Sequence, residues 1–147
     1  MAILGVLLMP ALPPSGDDSE LSGKSVKNGG SRASTILVVE DDPLIRMTIA
    51  EHLRDGGFRV LEASDAQEAL QIFGAAEPIE LMISDINMPG MDGAALATWV
   101  QANFPDVRIV VVSGAPSNKA RVPGVVFVEK PFALDMIERL VRSLLVR

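Results

Sequence analysis

The chain has no cysteine, no tyrosine and only one histidine and one tryptophan. Lacking cysteine, it can build no disulfide framework, no thiolate metal site and no cysteine nucleophile. That composition fits a reducing cytosol without requiring one. The single histidine, His52, lies within a helical stretch. With no second histidine to share a metal, it reads as a surface or half-buried helical residue rather than a ligand. A basic stripe is also missing: 13 Lys and Arg face 19 Asp and Glu, for a net charge of -6. Non-specific nucleic-acid binding by this chain is therefore not expected. No long hydrophobic run is present. The opening "MAILGVLLMPAL" is broken by Pro10 and falls short of the roughly 20 residues a spanning helix needs. It also lacks the leading positive charge of a secretory signal. Neither membrane span nor export signal is expected, and the expected location is cytoplasmic.

What is present suffices for one domain. The 147 residues are 48% hydrophobic and 22% charged, an ordinary globular balance. Residues 1–34 stand apart. "PPSGDDSELSGKSVKNGGSRAS" is rich in Pro, Gly and Ser and has no periodicity, so residues 1–34 read as a flexible leader. Its charges cancel: Asp17, Asp18 and Glu20 against Lys24, Lys27 and Arg32. The whole net charge thus falls on residues 35–147.

From Thr35 apolar runs alternate with helical patterns. "TILVVE" predicts a buried strand. In "DDPLIRMTIAEHLRDGG", Asp42 can cap a helix and Pro43 suits its first turn. Ile45, Ile49 and Leu53 share a face, and Gly56-Gly57 ends the helix. "FRVLEA" predicts a second strand. "SDAQEALQIFGAA" predicts a second helix, with Ser64 and Gln67 spaced as a capping box. "IELMIS" is a third strand leading to Asp85. "GAALATWVQANF" is a third helix stopped near Pro105. "VRIVVVS" and "VVFVE" are the fourth and fifth strands, and "ALDMIERLVRSLLV" is the last helix. Near-continuous apolar strands between helices imply a doubly wound α/β fold, a parallel sheet covered on both faces. In such sheets, sites form beyond the carboxyl ends of the strands.

Those ends carry chemistry. Strand one ends in Glu40-Asp41-Asp42, strand three in Asp85, strand four in Ser113, and strand five in Glu129-Lys130-Pro131. Each residue alone has a plain alternative: Asp42 as a cap, Ser113 as a turn residue, Lys130 as a surface cation paired with Glu129. Their convergence on one rim is the stronger signal. Two carboxylates about 4 Å apart repel by about 4 kcal/mol at an effective dielectric of about 20. Three sharing a pocket call for a cation. Oxygen ligands without cysteine suit Mg²⁺ better than zinc or copper. A carboxylate beside such an ion can attack phosphorus to give an aspartyl phosphate. Lys130 would add positive charge and Ser113 a hydrogen bond.

Together, "ILVVEDDP", "SDINMPGMDG", "IVVVSG" and "FVEKPF" resemble the receiver domain of two-component response regulators over about Thr35 to Arg147. The resemblance implies a flavodoxin-like five-stranded parallel sheet of order 2-1-3-4-5. It implies that Asp85 is the phosphoacceptor and that Glu40, Asp41, Asp85 and the Asn87 carbonyl serve Mg²⁺. Lys130 matches the phosphoryl-binding lysine, Ser113 the switch hydroxyl and Phe127 the switch aromatic. A cis peptide at Lys130-Pro131 is common in the family. Asn87 and Ala115 match positions where relatives tune the lifetime of the phosphoryl group. The implied phosphodonor is a histidine kinase or histidine phosphotransfer protein, and Leu44, Ile45 and Pro131 are candidate contacts for it. The implied function is a phosphorelay module that switches conformation to control a downstream protein. It would have no output domain after Arg147 and would be no enzyme beyond its own phosphorylation and dephosphorylation.

The pattern departs from the family between strands four and five. "GAPSNKARVPG", with Pro116 and Pro123, is too short and broken for the helix relatives carry there. An abbreviated or missing helix is expected, and with it loss of the family's common output face. Receivers of hybrid kinases are often abbreviated here, which hints at a relay role. Phe127 lacks the hydroxyl of the tyrosine many relatives have there. Trp99 should pack beside Leu96 and Val100, with a partner contact as the alternative. Two other functions compete. One is an aspartyl-phosphate phosphatase, although Asn87 stands where such hydrolases commonly place an acid/base aspartate. The other is a degenerate receiver used only for binding.

Overall fold

The computed structural model describes residues 32–75, 77–114 and 122–146. Its elements run β1 (Thr35–Val39), α1 (Pro43–Asp55), β2 (Arg59–Ala63), α2 (Ala66–Gly74), β3 (Leu81–Asp85), α3 (Gly93–Asn103), β4 (Arg108–Ser113), β5 (Val126–Glu129) and α4 (Leu134–Leu145). The strands form one parallel sheet in the order β2-β1-β3-β4-β5. That is the order the family resemblance implied.

Alternation along each strand divides the core in two. Ile36, Val38, Ile83, Val110 and Val112 point to one face, where Ile49, Leu53, Ile137 and Val141 of α1 and α4 cover them. Leu37, Val39, Met82 and Val111 point to the other, under Ala69, Phe73, Leu96 and Val100 of α2 and α3. Every residue of β1 and β3 is buried. Each fully buried Leu, Ile or Val side chain stabilises the fold by about 1.5–3 kcal/mol relative to exposure. This two-faced burial is what lets the strand ends hold polar groups rigidly.

Helix boundaries follow local chemistry. The Asp42 carboxylate accepts from the Leu44 and Ile45 amides, and Pro43 opens α1 as expected. Gly57 takes a φ of +99° just past α1, a conformation that favours glycine. The cap of α2 differs from expectation. Asp65, not Ser64, is the N-cap, accepting from the Glu68 amide at 2.8 Å. Glu68 instead reaches back to the Ser64 amide and hydroxyl at 2.7 and 2.8 Å. The box is therefore shifted by one residue. Asp65 places a charged acceptor at the helix start, and Gln67 stays exposed. Strand β3 also begins two residues later than "IELMIS" suggested, at Leu81.

Among the described residues no helix stands between β4 and β5. The abbreviated segment itself, residues 115–121, and most of the flexible leader, residues 1–31, lie outside the described residues. So does Ala115. No helix of the described residues is long and apolar enough to cross a membrane.

Candidate functional site

The carboxyl ends of β1, β3, β4 and β5 meet, and their polar residues meet with them. Glu40 follows β1 and Asp85 closes β3; both are buried, at 4% and 6% exposure. Asp41 is exposed beside them. One carboxylate oxygen from each of the three lies within 4.8 Å of the others. Lys130 Nζ stands 3.3 Å from Asp85 Oδ1 and 3.7 Å from Glu40 Oε1. Ser113 is buried at the end of β4, paired in register with Glu129.

Backbone hydrogen bonds fix this rim. The Lys130 amide donates to the Ser113 carbonyl at 2.8 Å, and the Glu40 amide to the Ala63 carbonyl at 3.1 Å. The Ile86 amide donates to the Val112 carbonyl at 2.9 Å. The Lys130-Pro131 peptide is cis. Arg46 Nη1 donates to the Glu40 carbonyl at 2.8 Å and its Nε to Glu62 at 3.2 Å, so α1 grips the acidic turn.

Electrostatics favour a cation. Burial holds the Glu40 carboxyl above its usual range; the Asp42 amide and Lys130 pull it back, while Asp85 pushes it further up. Among the described residues one ammonium, that of Lys130, pairs with two members of a group of three carboxylates. The donor set is all oxygen and the charge deficit is that of a hard dication, so the residues present fit Mg²⁺.

Other expected residues are placed as follows. Asn87 is exposed two residues after Asp85. Phe127 is half-buried on β5 against the face carrying α2 and α3. Leu44 is 71% exposed beside the acids, and Pro131 is exposed. Ile45 is half-buried and packs against the α1–α4 side of the core, leaving less of it for a partner. Trp99 is half-buried in an aromatic group with Phe73 and Phe104, at ring-centroid distances of 6.4 and 5.8 Å. That bears out its packing role.

Sequence reasoning missed Gly93. A Cβ there would run into the Asp85 carbonyl oxygen and come within 2.7 Å of the Ile86 Cα. The Gly93 amide donates to the Ile86 carbonyl at 2.9 Å. The start of α3 thus lies directly against the end of β3, and the glycine in "MDG" permits the approach. In the sequence it stands only as the first residue of the helical stretch "GAALATWVQANF", preceded by an aspartate.

Comparison with known proteins agrees with this geometry. Residues 36–142 match the family described as "Response regulator receiver domain". The sensor kinase CckA of Brucella abortus is 32% identical over 139 residues, covering 88% of this chain and 15% of the kinase. A crystal structure of the receiver domain from the hybrid histidine kinase CckA superposes with a TM-score of 0.68 at 34% identity, covering 77% of this chain and 100% of that one. The response regulator TrrA from Thermotoga maritima, solved in complex with Mg²⁺-BeF, gives 0.69 at 30% identity, covering 76% and 99%. The chain belongs to the response regulator receiver domain family, the receiver modules of two-component systems. It spans 15% of that kinase and 52% of another curated relative it matches.

Proposed function

We propose that this receiver takes a phosphoryl group from a phosphohistidine onto Asp85. The reading is carried by one observation: Lys130 Nζ at 3.3 Å from Asp85 Oδ1, on a rim that also holds Glu40 and Asp41. An Asp85 oxygen attacks phosphorus, the P–N bond breaks, and the departing imidazole keeps the electron pair and takes up a proton. Lys130 offers its charge to the phosphoryl oxygens as they leave the donor. Ser113 donates a hydrogen bond to one of them. Glu40, Asp41, Asp85 and the Asn87 carbonyl would hold Mg²⁺. When bound, that ion neutralises charge on the phosphoryl oxygens and keeps attacking and leaving groups in line.

The phosphoryl group then biases a two-state element, with Ser113 drawn toward it and Phe127 turning inward. Leu44 and Pro131 flank the acidic pocket and suit contact with the donor, a cytoplasmic histidine kinase or histidine phosphotransfer protein. Likeness to a hybrid-kinase receiver supports a relay role. Turnover of small phosphate esters is not expected, because Asn87 can supply no acid/base carboxyl two residues after Asp85. Incubation with acetyl phosphate and Mg²⁺ tests the reading by intact mass. One phosphoryl adduct is expected, absent from Asp85→Asn; an adduct that persists in that variant overturns it.

A further inference from the structure

A second cluster of ligating side chains lies away from the acidic rim, where α1 meets α4. His52, the only histidine of the chain, has its Nε2 shielded from solvent and, among the described residues, in no well-aligned hydrogen bond. Yet that nitrogen stands 3.1 Å from Glu138 Oε1 and 3.3 Å from Asp135 Oδ1. A simple imidazolium ion pair would aim its N–H at one of these oxygens and form a hydrogen bond. Here Nε2 is close to both carboxylates at once, without a well-aligned hydrogen bond to either. Ligand atoms of a tetrahedral site with bonds of about 2.0–2.1 Å lie about 3.3 Å apart, and the two distances from Nε2 are close to that, with all three ligand atoms within 4.8 Å of one another.

We propose that His52, Asp135 and Glu138 bind a borderline dication of the zinc class, with water in the fourth position. Asp135, in the first turn of α4, and Glu138, three residues further on, present their carboxylates on one side of the helix. The Asp135 side chain is 77% exposed, which leaves room for the water. Glu138 is held ready. Its other oxygen, Oε2, accepts from Arg142 Nη2 at 2.7 Å and Nε at 3.2 Å. Arg142 is fixed in turn by donating to the Gly56 carbonyl at 2.6 Å and by lying 4.8 Å from the Phe58 ring centroid. Such outer contacts orient ligands. The imidazole distinguishes this set from the all-oxygen rim, so zinc outcompetes magnesium here. Bound metal would pin the end of α1 to the start of α4. The histidine looked unable to ligate in the sequence because its partners come from a distant helix and are carboxylates.

Calorimetric titration of the untagged full chain with zinc, in excess Mg²⁺ to fill the acidic rim, is the test. One Mg²⁺-insensitive site per chain is expected. His52→Gln and the exposed Asp135→Asn should each weaken it by at least about tenfold. Cobalt added in place of zinc should give the visible absorption of a tetrahedral site, lost in His52→Gln. The ring ¹⁵N signal of His52 Nε2 should shift on zinc addition, a readout that does not depend on any variant folding. No Mg²⁺-insensitive site, unchanged affinity in His52→Gln, or an unmoved Nε2 signal would each overturn the proposal.

Discussion

Lys130 touches three strand ends at once. Its ammonium lies 3.3 Å from Asp85 Oδ1 and 3.7 Å from Glu40 Oε1, while its amide donates to the Ser113 carbonyl. Segments far apart in the sequence are thereby joined through one residue. That one cation cannot neutralise three carboxylates, and this imbalance makes the rim a dication site. Lys130→Met should therefore have opposite effects on two measurements. Mg²⁺ binding, by calorimetry, should tighten several-fold as a competing positive charge is removed. Labelling by acetyl phosphate should slow by about 100-fold or more, the scale seen when a charge-stabilising donor is lost. Parallel losses in both would show Lys130 to be merely structural.

Proton and metal compete for Glu40. Burial raises its folded pKa, so the folded protein holds this proton more tightly than the unfolded chain. The ionised group therefore costs stability above its folded pKa, and that cost is relieved as pH falls through it. Mg²⁺ needs the carboxylate, so affinity should drop in the same window, above the ordinary glutamate range near pH 4.3. Magnesium titrations at stepped pH would show the fall. In Mg²⁺-free buffer Glu40→Gln should raise the melting temperature at neutral pH. Affinity that stays flat until the ordinary range would refute the coupling.

Gly93 should tolerate no side chain. The added methyl of Gly93→Ala meets backbone at Asp85 and Ile86, which cannot swing away. Overpacking of this kind costs about 1–3 kcal/mol, and here it also displaces the acceptor. Urea unfolding should show the destabilisation, and acetyl phosphate labelling should fall with it. Gly74, with nothing within 4 Å of an added Cβ, is the control. Gly74→Ala should be neutral or stabilise α2 by up to about 1 kcal/mol.

The shifted cap of α2 is separately measurable. Asp65→Ala should cost about 1 kcal/mol in urea unfolding, since it removes the acceptor for the Glu68 amide. Gln67→Ala, on an exposed residue, should change stability by less than about 0.5 kcal/mol. Equal losses would restore the box first read from the sequence.

Much of this was legible before any coordinates. The sheet could be read because β1, β3 and β4 are mostly apolar on both faces and alternate with helical patterns, as a covered parallel sheet requires. The rim followed because strand ends in such a sheet share one edge, bringing Glu40, Asp41, Asp85, Ser113 and Lys130 together. Less legible were features set by tertiary approach. Gly93 is distinguished by where β3 ends in space, which an Asp-Gly pair does not encode. Ser64 and Asp65 both offer cap oxygens, and only the backbone conformation at Asp65 decided between them. His52 was set aside for want of a second histidine, because α4 lies far along the chain and nothing local announces Asp135 or Glu138 beside it.

The central claim is that the phosphoryl group lands on Asp85. Borohydride reduces an acyl phosphate, so treating the phosphorylated chain with it and sequencing its peptides by tandem mass spectrometry locates the acceptor directly. The account predicts that the reduced residue is at position 85 and nowhere else, and that no reduction occurs without Mg²⁺. Reduction at Asp41, Glu40 or any other carboxylate, with Asp85 intact, would contradict it.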